Sequence, residues 1–272
     1  MAASPPIFIG NQTAFFASPL HPFDFAVVEG FDAFEFFPDS RCAGSGWAVT
    51  DLSQAARARI RALAIERGMR LSVHASISSD PLTARERFGL EMDFAGEIGA
   101  RILNLHFPSS DVDAFGHCVR ALVPRLAAAS LVLSLENTPA IAPEDFNAFF
   151  ARLQLGGEVA AGSIGMCLDI GHANLHPGTR NDYLAYLDRL SDQVPIVHVH
   201  AHENRGDTDS HLTLFTGPSR EDPAGLTRLV HWLFSRGYSG SVILEQWPDP
   251  PTLLSIARDQ LRSIIEAASA LR

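Results

Sequence analysis

The stretch Ile196-Val-His-Val-His-Ala-His-Glu-Asn-Arg-Gly-Asp-Thr-Asp-Ser-His211 decides how the rest of the chain is read. It begins as a strand, because apolar Val197 and Val199 alternate with His198 and His200, a period of two. Alternate positions of a strand share a face, so His198, His200 and His202 project together. Asn204-Arg-Gly206 breaks the strand into a loop. Asp209 and His211, two residues apart, point the same way where that loop is extended. Neutral imidazole and carboxylate are ligands for zinc, manganese or iron. A single such histidine is ordinary at a polar strand end. This cluster gains weight because similar residues recur at regular intervals upstream.

Short apolar runs alternate with helical periodicity along the whole chain. The predicted strands are Ile7–Ile9, Ala33–Phe37, Arg70–Ala75, Ile102–His106, Leu131–Glu136, Ile164–Asp169, Ile196–His202 and Ser241–Glu245. Between and after them, helices are predicted over Pro22–Glu29, Asp51–Arg67 with Thr50 as N-cap, Leu82–Ile98 and Val112–Ala129 despite Pro124. Further helices are predicted over Pro143–Leu155, Tyr183–Leu190, Ala224–Phe234 and Leu253–Leu271. Apolar strands separated by helices suit a parallel sheet covered on both faces. Eight of them predict a closed (β/α)₈ barrel, and 272 residues is a normal size for one. No compositional break divides the chain, so residues 1–272 are read as one domain. Gly171–Asn181 and Asn204–Pro223 read as loops over one barrel mouth.

Composition excludes several chemistries. All 21 basic residues are arginine, so Schiff-base chemistry on lysine is ruled out. No glycine-rich nucleotide fingerprint is present. The formal net charge of −10 argues against a general nucleic-acid surface. The sequence has no apolar run of membrane-spanning length and no signal-peptide pattern at its start. Cys42, Cys118 and Cys167 are widely spaced, which predicts free thiols in a reducing compartment, hence the cytoplasm. Assembly into a homo-oligomer is compatible with all of this.

Polar residues fall where the predicted strands end: His74, His106, Glu136, Asp169, His200 and Glu245. From His74 to His200 the intervals are 32, 30, 33 and 31 residues, about one βα unit each. In a barrel such residues converge on the mouth where active sites lie. His172 follows Asp169 by three residues, and Asp209-Ser-His211 sits on the loop after strand seven. Glu136, Asp169, His200 and Glu245 make a mixed nitrogen and oxygen site for Mn²⁺, Co²⁺, Mg²⁺ or Zn²⁺. His74, His106, His172, Asp209 and His211 are then expected to contact substrate or bind additional metal.

The segments Glu136-Asn-Thr-Pro139, Asp169-Ile-Gly-His172 and His198-Val-His-Ala-His-Glu-Asn204 with Asp209-Ser-His211 resemble the xylose isomerase-like TIM-barrel superfamily. Sugar isomerases, epimerases and endonuclease IV belong to it. Resemblance to the epimerases implies a divalent-metal-dependent proton transfer at a metal-polarised carbonyl of a sugar, polyol or related carbohydrate. It makes Glu136, Asp169, His200 and Glu245 the ligands of one ion, with Glu136 and Glu245 the catalytic acid/base pair. His172 and Arg205 would hold substrate oxygens, although the spacing from His200 to Arg205 is one residue shorter than in that pattern. Resemblance to endonuclease IV implies instead a multi-zinc phosphoesterase acting on a small phosphodiester or abasic DNA. Its nine ligands would be His74, His106, Glu136, Asp169, His172, His200, Asp209, His211 and Glu245. Gly10-Asn-Gln-Thr13 departs from endonuclease IV at the first strand, and the acidic charge favours the carbohydrate reading.

Other residues carry weaker expectations. Glu35 in strand two is a candidate for substrate contact. Phe15, Phe16, Trp47 and Trp247 are candidate pocket walls or ordinary packing. His198 is expected to be structural, and His21, His117, His176 and His231 to be surface or packing residues.

Overall fold

The computed structural model describes residues 7–13, 18–39, 46–108, 111–155 and 162–271. Eight parallel strands close into a barrel in sequence order, each hydrogen-bonded to the next and β8 to β1. They are β1 (Phe8–Gln12), β2 (Ala33–Phe36), β3 (Arg70–His74), β4 (Ile102–His106), β5 (Val132–Glu136), β6 (Ile164–Asp169), β7 (Ile196–Ala201) and β8 (Ser241–Leu244). The predicted (β/α)₈ architecture is therefore the one observed. Helices α1 (Leu20–Glu29), α2 (Gln54–Arg67), α3 (Arg85–Ile98), α4 (Val112–Ala128) and α5 (Pro143–Leu155) follow the first five strands. The sixth is followed by α6 (Ile170–Leu175) and α7 (Tyr183–Asp188), the last two by α8 (Ala224–Ser235) and α9 (Thr252–Ala270).

The differences from the sequence reading are local. β1 runs to Gln12 rather than stopping at Ile9, because Gly10, Asn11 and Gln12 pair with Ala33, Phe34 and Glu35. Ser53, not Thr50, caps α2, its side chain accepting the Ala56 amide. Part of the expected Gly171–Asn181 loop is the helix α6, nucleated by Asp169, whose side chain accepts the His172 amide at 2.7 Å. Phe15, Phe16 and Cys42 lie outside the described residues, while Cys118 and Cys167 are free thiols. No helix among the described residues is long and apolar enough to cross a membrane.

The apolar core lies between sheet and helices, where Leu71, Val73, Leu103, Leu105, Leu133 and Leu135 meet Phe88, Phe94, Phe115 and Phe146. The inward positions differ. Two residues before His74, His106, Glu136, Asp169 and His200 stand Ser72, Asn104, Ser134, Cys167 and His198, all buried. Barrel interiors are usually filled by branched aliphatic side chains. Here a polar layer lies directly beneath the mouth.

Candidate metal centre

The mouth is built on two carboxylates at strand ends, Glu136 on β5 and Asp169 on β6, both fully buried. Imidazoles surround Glu136. His74 Nε2 lies 3.0 Å from Oε2 and His200 Nδ1 3.2 Å from it, while His172 Nδ1 and His106 Nε2 lie 3.3 and 3.5 Å from Oε1. Asn104 Nδ2 donates to Oε2 from below at 2.5 Å. Asn137, the next residue after Glu136, ties the two strand ends together: it donates to the Asp169 carbonyl and accepts the Asp169 amide, both at 2.9 Å.

A second tier stands above Asp169 and comprises His172, His202, Asp209 and His211. One ligand atom from each of the four comes within 4.8 Å of the others. His202 Nε2 lies 3.2 Å from Asp169 Oδ1, and its ring stacks on His211 with centroids 3.9 Å apart. Asp209 Oδ2 lies 3.3 Å from His172 Nε2 and 3.2 Å from His211 Nε2. The loop that presents Asp209 and His211 is pinned at its base. Glu203 and Leu212 exchange backbone hydrogen bonds at 2.8 Å, and the Glu203 carboxylate accepts the Gly217 and Ser219 amides.

Three imidazoles have their outer nitrogen fixed by backbone. Nδ1 of His74, His172 and His211 donates to the carbonyls of Ala75, Asn137 and Glu245 at 2.7, 2.8 and 2.7 Å. A backbone acceptor at one ring nitrogen sets which nitrogen remains for a ligand. In each case Nε2 is left facing a carboxylate. Two electron-rich atoms at such distances need a proton or a metal ion between them.

The charges reflect this. Burial alone would raise the Glu136 pKa, but His200, His106 and His74 hold it well below the usual carboxylate value. Asp169 and Asp209 are likewise lowered against burial by their imidazole neighbours. Burial would lower His172, yet Asp169 and the hydrogen bond to Asp209 push it well above its ordinary value. His211 is raised to about 9, because the Asp209 hydrogen bond and the Glu245 charge outweigh burial. Among the described residues, seven buried atoms at the centre have no hydrogen-bond partner: Glu136 Oε1, Asp169 Oδ2, both ring nitrogens of His200 and of His202, and Glu245 Oε2. Buried polar atoms are normally satisfied. Orphaned oxygens and ring nitrogens that converge on one centre fit divalent cations of the borderline kind.

A cavity of about 630 Å³ opens over the centre. His74, His106, His172, Asp209, His211 and Glu245 form its floor. Gln12, Thr13, Thr213, Thr216 and Gln246 supply amides and hydroxyls to its wall, with Phe37, Leu212 and Trp247 between them. No arginine is among the described residues that line it.

The structure brings nine of the eleven candidate site residues together at this mouth. Glu35 and Arg205 are the exceptions. Glu35 is fully buried beneath His198 and His200 and does not reach the cavity, so the expected substrate contact is replaced by contacts to these two imidazoles. Arg205 is exposed and lies outside the cavity lining, consistent with its displaced spacing from His200. Trp47 packs edge-on against Phe36 and Phe94 instead of walling the site, whereas Trp247 does line it. His202 and Asn137 were not assigned from sequence. The period-two run that exposed His198 and His200 contained the signal for His202, and Asn137 stood inside a quoted motif.

A sequence model described as the xylose isomerase-like TIM barrel matches residues 23–271. The uncharacterized protein MJ1311 of Methanocaldococcus jannaschii is 29% identical over 119 residues, which is 42% of this chain and 36% of that protein. The match thus spans about a third of that relative's length. Among solved structures, a D-tagatose 3-epimerase-like protein superposes with a TM-score of 0.70 at 19% identity, covering 97% of this chain and 99% of the other. Endonuclease IV from Thermus thermophilus superposes with a TM-score of 0.64 at 23% identity, covering 96% and 99%. At these identities the likeness shows the fold.

Proposed function

The chain belongs to the xylose isomerase-like TIM barrel family, and on that premise we propose that it is a metal-dependent hydrolase of a small phosphoester whose organic group is a carbohydrate or polyol. The observation that carries this reading is the direction of the imidazoles. Carbonyl-fixed His74, His172 and His211 turn Nε2 toward Glu136 and Asp209. Together with the orphaned atoms above, they support more than one cation position. Glu136, Asp169, His200 and Glu245 would hold one ion. His74, His106 and Glu136 form a second ligand set, and His172, His202, Asp209 and His211 a third.

Zinc or manganese bound there would supply Lewis acidity to phosphoryl oxygens and lower the pKa of an attacking water. The chain's own residues contribute binding and orientation. Gln12 and Thr213 offer polar groups to hydroxyls of the organic part. Thr13, Thr216 and Gln246 offer chiefly acceptors, because their donors already bind the Phe37, Thr213 and Ala201 carbonyls, and Phe37 and Trp247 exclude water beside it. The balanced reaction adds water across one P–O bond and releases an alcohol and a phosphate. A small ester is preferred to DNA because the chain carries a net charge of −10 and no described basic side chain of arginine lines the cavity.

A second reading, a carbohydrate isomerase or epimerase with one ion, is favoured by Glu245. It is the strand-end carboxylate that faces the cavity, where a substrate carbon could meet it. Against it, Glu136 lies behind His74, His106 and His172, so the second member of an acid/base pair has no open path to substrate. The discriminating experiment loads the protein with Zn²⁺ or Mn²⁺. It then offers a panel of sugar phosphates, small phosphodiesters and unphosphorylated ketoses in D₂O. Phosphate or alcohol release supports hydrolysis. Deuterium incorporation next to a ketose carbonyl, with no phosphoester cleaved, would overturn it in favour of the isomerase.

A further inference from the structure

Beneath the mouth, Glu35 on β2 meets two imidazoles of β7 on the far side of the barrel. His198 Nε2 lies 2.8 Å from Glu35 Oε2, and His200 Nε2 lies 2.9 Å from Oε1. All three side chains are inaccessible to solvent. The other nitrogen of His200, Nδ1, points the opposite way, 3.2 Å from Glu136, 3.6 Å from Glu245 and 3.9 Å from Asp169. One ring therefore spans two tiers: a carboxylate below and the three candidate ligand carboxylates above.

We propose that Glu35 is a positioning residue that holds the proton of His200 on Nε2 and so presents Nδ1 as the metal-binding atom. This rests on the reading that a divalent ion sits among Glu136, Asp169, His200 and Glu245. An ionised carboxylate accepts only. Facing Glu35, both His198 and His200 must keep a hydrogen on Nε2, and the lone pair of His200 is left on Nδ1. The geometry also limits ring rotation, because carboxylates face the imidazole at opposite corners, Glu35 at 2.9 Å and Glu136 at 3.2 Å. His198 occupies the second oxygen of Glu35 and keeps the carboxylate from turning away. A carboxylate behind a ligating imidazole typically contributes a factor of about 10–100 in metal affinity.

Glu35→Gln keeps the shape and alters the hydrogen-bond logic. The glutamine side chain accepts from one imidazole with its oxygen, and its NH₂ faces the other. Whichever ring meets the NH₂ must move its proton away. For His200 that places the proton on Nδ1, where the ion would bind. The expected result is a Mn²⁺ or Co²⁺ dissociation constant raised about 10- to 100-fold. The visible spectrum of the Co²⁺ form should change, a readout that a loss of stability alone would leave unmoved. Glu35→Asp, which keeps the acceptor-only group, should recover part of the affinity.

A second measurement needs no variant. In the Zn²⁺-loaded wild type, ¹⁵N NMR should find the His200 proton on Nε2 and shifted downfield by its carboxylate partner. A proton on Nδ1 would overturn the proposal, as would Glu35→Gln binding metal with wild-type affinity and spectrum. Wild-type protein that binds no divalent ion would instead remove the metal reading itself, and this proposal with it.

Discussion

The His202 imidazole lies directly over the α-carbon of Gly171: a β-carbon placed there would come within 2.0 Å of His202 Cε1 and 2.4 Å of both ring nitrogens. The glycine of Asp169-Ile-Gly-His172 is thus required by close approach, not by backbone conformation. Ring and helix start are locked together, and with them the relation of Asp169 and His172 to His202 and His211. Gly171→Ala should displace His202 and cost about 1–3 kcal/mol of stability, as overpacking in a filled site does. It should also weaken metal binding more than substitution of an exposed α6 residue. Chemical denaturation with and without Zn²⁺ checks both effects. An unchanged metal affinity would separate His202 from the centre.

Protons and metal compete for the same nitrogens. His211 titrates near 9 and His172 well above its ordinary value, because their carboxylate neighbours outweigh burial. In the metal-free protein these raised values add stability that is full below the unfolded imidazole pKa of about 6.5. That contribution is lost as pH rises through about 9 for His211. Metal binding must displace those protons and those of His74 and His200, which are also raised, so affinity should climb from pH 6 to 8 with net proton release. Calorimetry in buffers of different ionisation enthalpy measures this directly. A proton count of zero across the range would contradict it.

Glu91 on α3 provides an independent pH signature. It is 2% exposed, and burial raises its pKa to about 7 despite hydrogen bonds from Ser79 Oγ and the Ser76 amide. A raised carboxyl pKa favours the protonated fold, so its contribution is complete below about 4.5 and disappears as pH rises through about 7. The charged form then costs roughly 3 kcal/mol. Glu91→Gln should raise the melting temperature at pH 8 and leave it nearly unchanged at pH 4.5. Equal shifts at both pH values would show that the carboxyl is not titrating in the fold.

Much of this was legible in the sequence because a barrel repeats one unit. The intervals between His74, His106, Glu136, Asp169 and His200 translate into one ring of strand ends, since each βα unit advances the chain by one strand. What lies between tiers was less legible. Glu35 sits 163 residues from His198, and a period-two pattern says which face a side chain takes but not how deep in the barrel it lies. Depth depends on strand stagger, and that turned an expected substrate contact into a support for His200. Arg205 was less legible for a different reason, because a loop residue is placed by the path of its loop, and here it is exposed and outside the cavity lining. The short helix α6 was hidden because its start depends on the Asp169 cap, which reads equally well as a strand-end ligand.

Glu136 and Glu245 are equivalent strand-end glutamates on paper. In the fold one is enclosed by imidazoles and the other faces the cavity. Glu136→Gln should therefore abolish binding of more than one ion and cut overall affinity at least ~100-fold, since the bridging charge among four imidazoles is lost. Glu245→Gln should reduce activity while leaving the set His172, His202, Asp209 and His211 able to bind. Titration with Zn²⁺ followed by native mass spectrometry distinguishes the two. The same stoichiometry for both variants would contradict the distinction.

A centre with more than one ion is recognised by the number of ions each chain carries. Protein purified without chelator, loaded with Zn²⁺ and weighed by native mass spectrometry should carry at least two ions. Asp209→Asn combined with His211→Asn should remove one of them and keep the ion held by Glu136, Asp169, His200 and Glu245. A single ion in the wild type, retained unchanged in that double variant, would contradict a multi-ion centre and favour the single-ion isomerase.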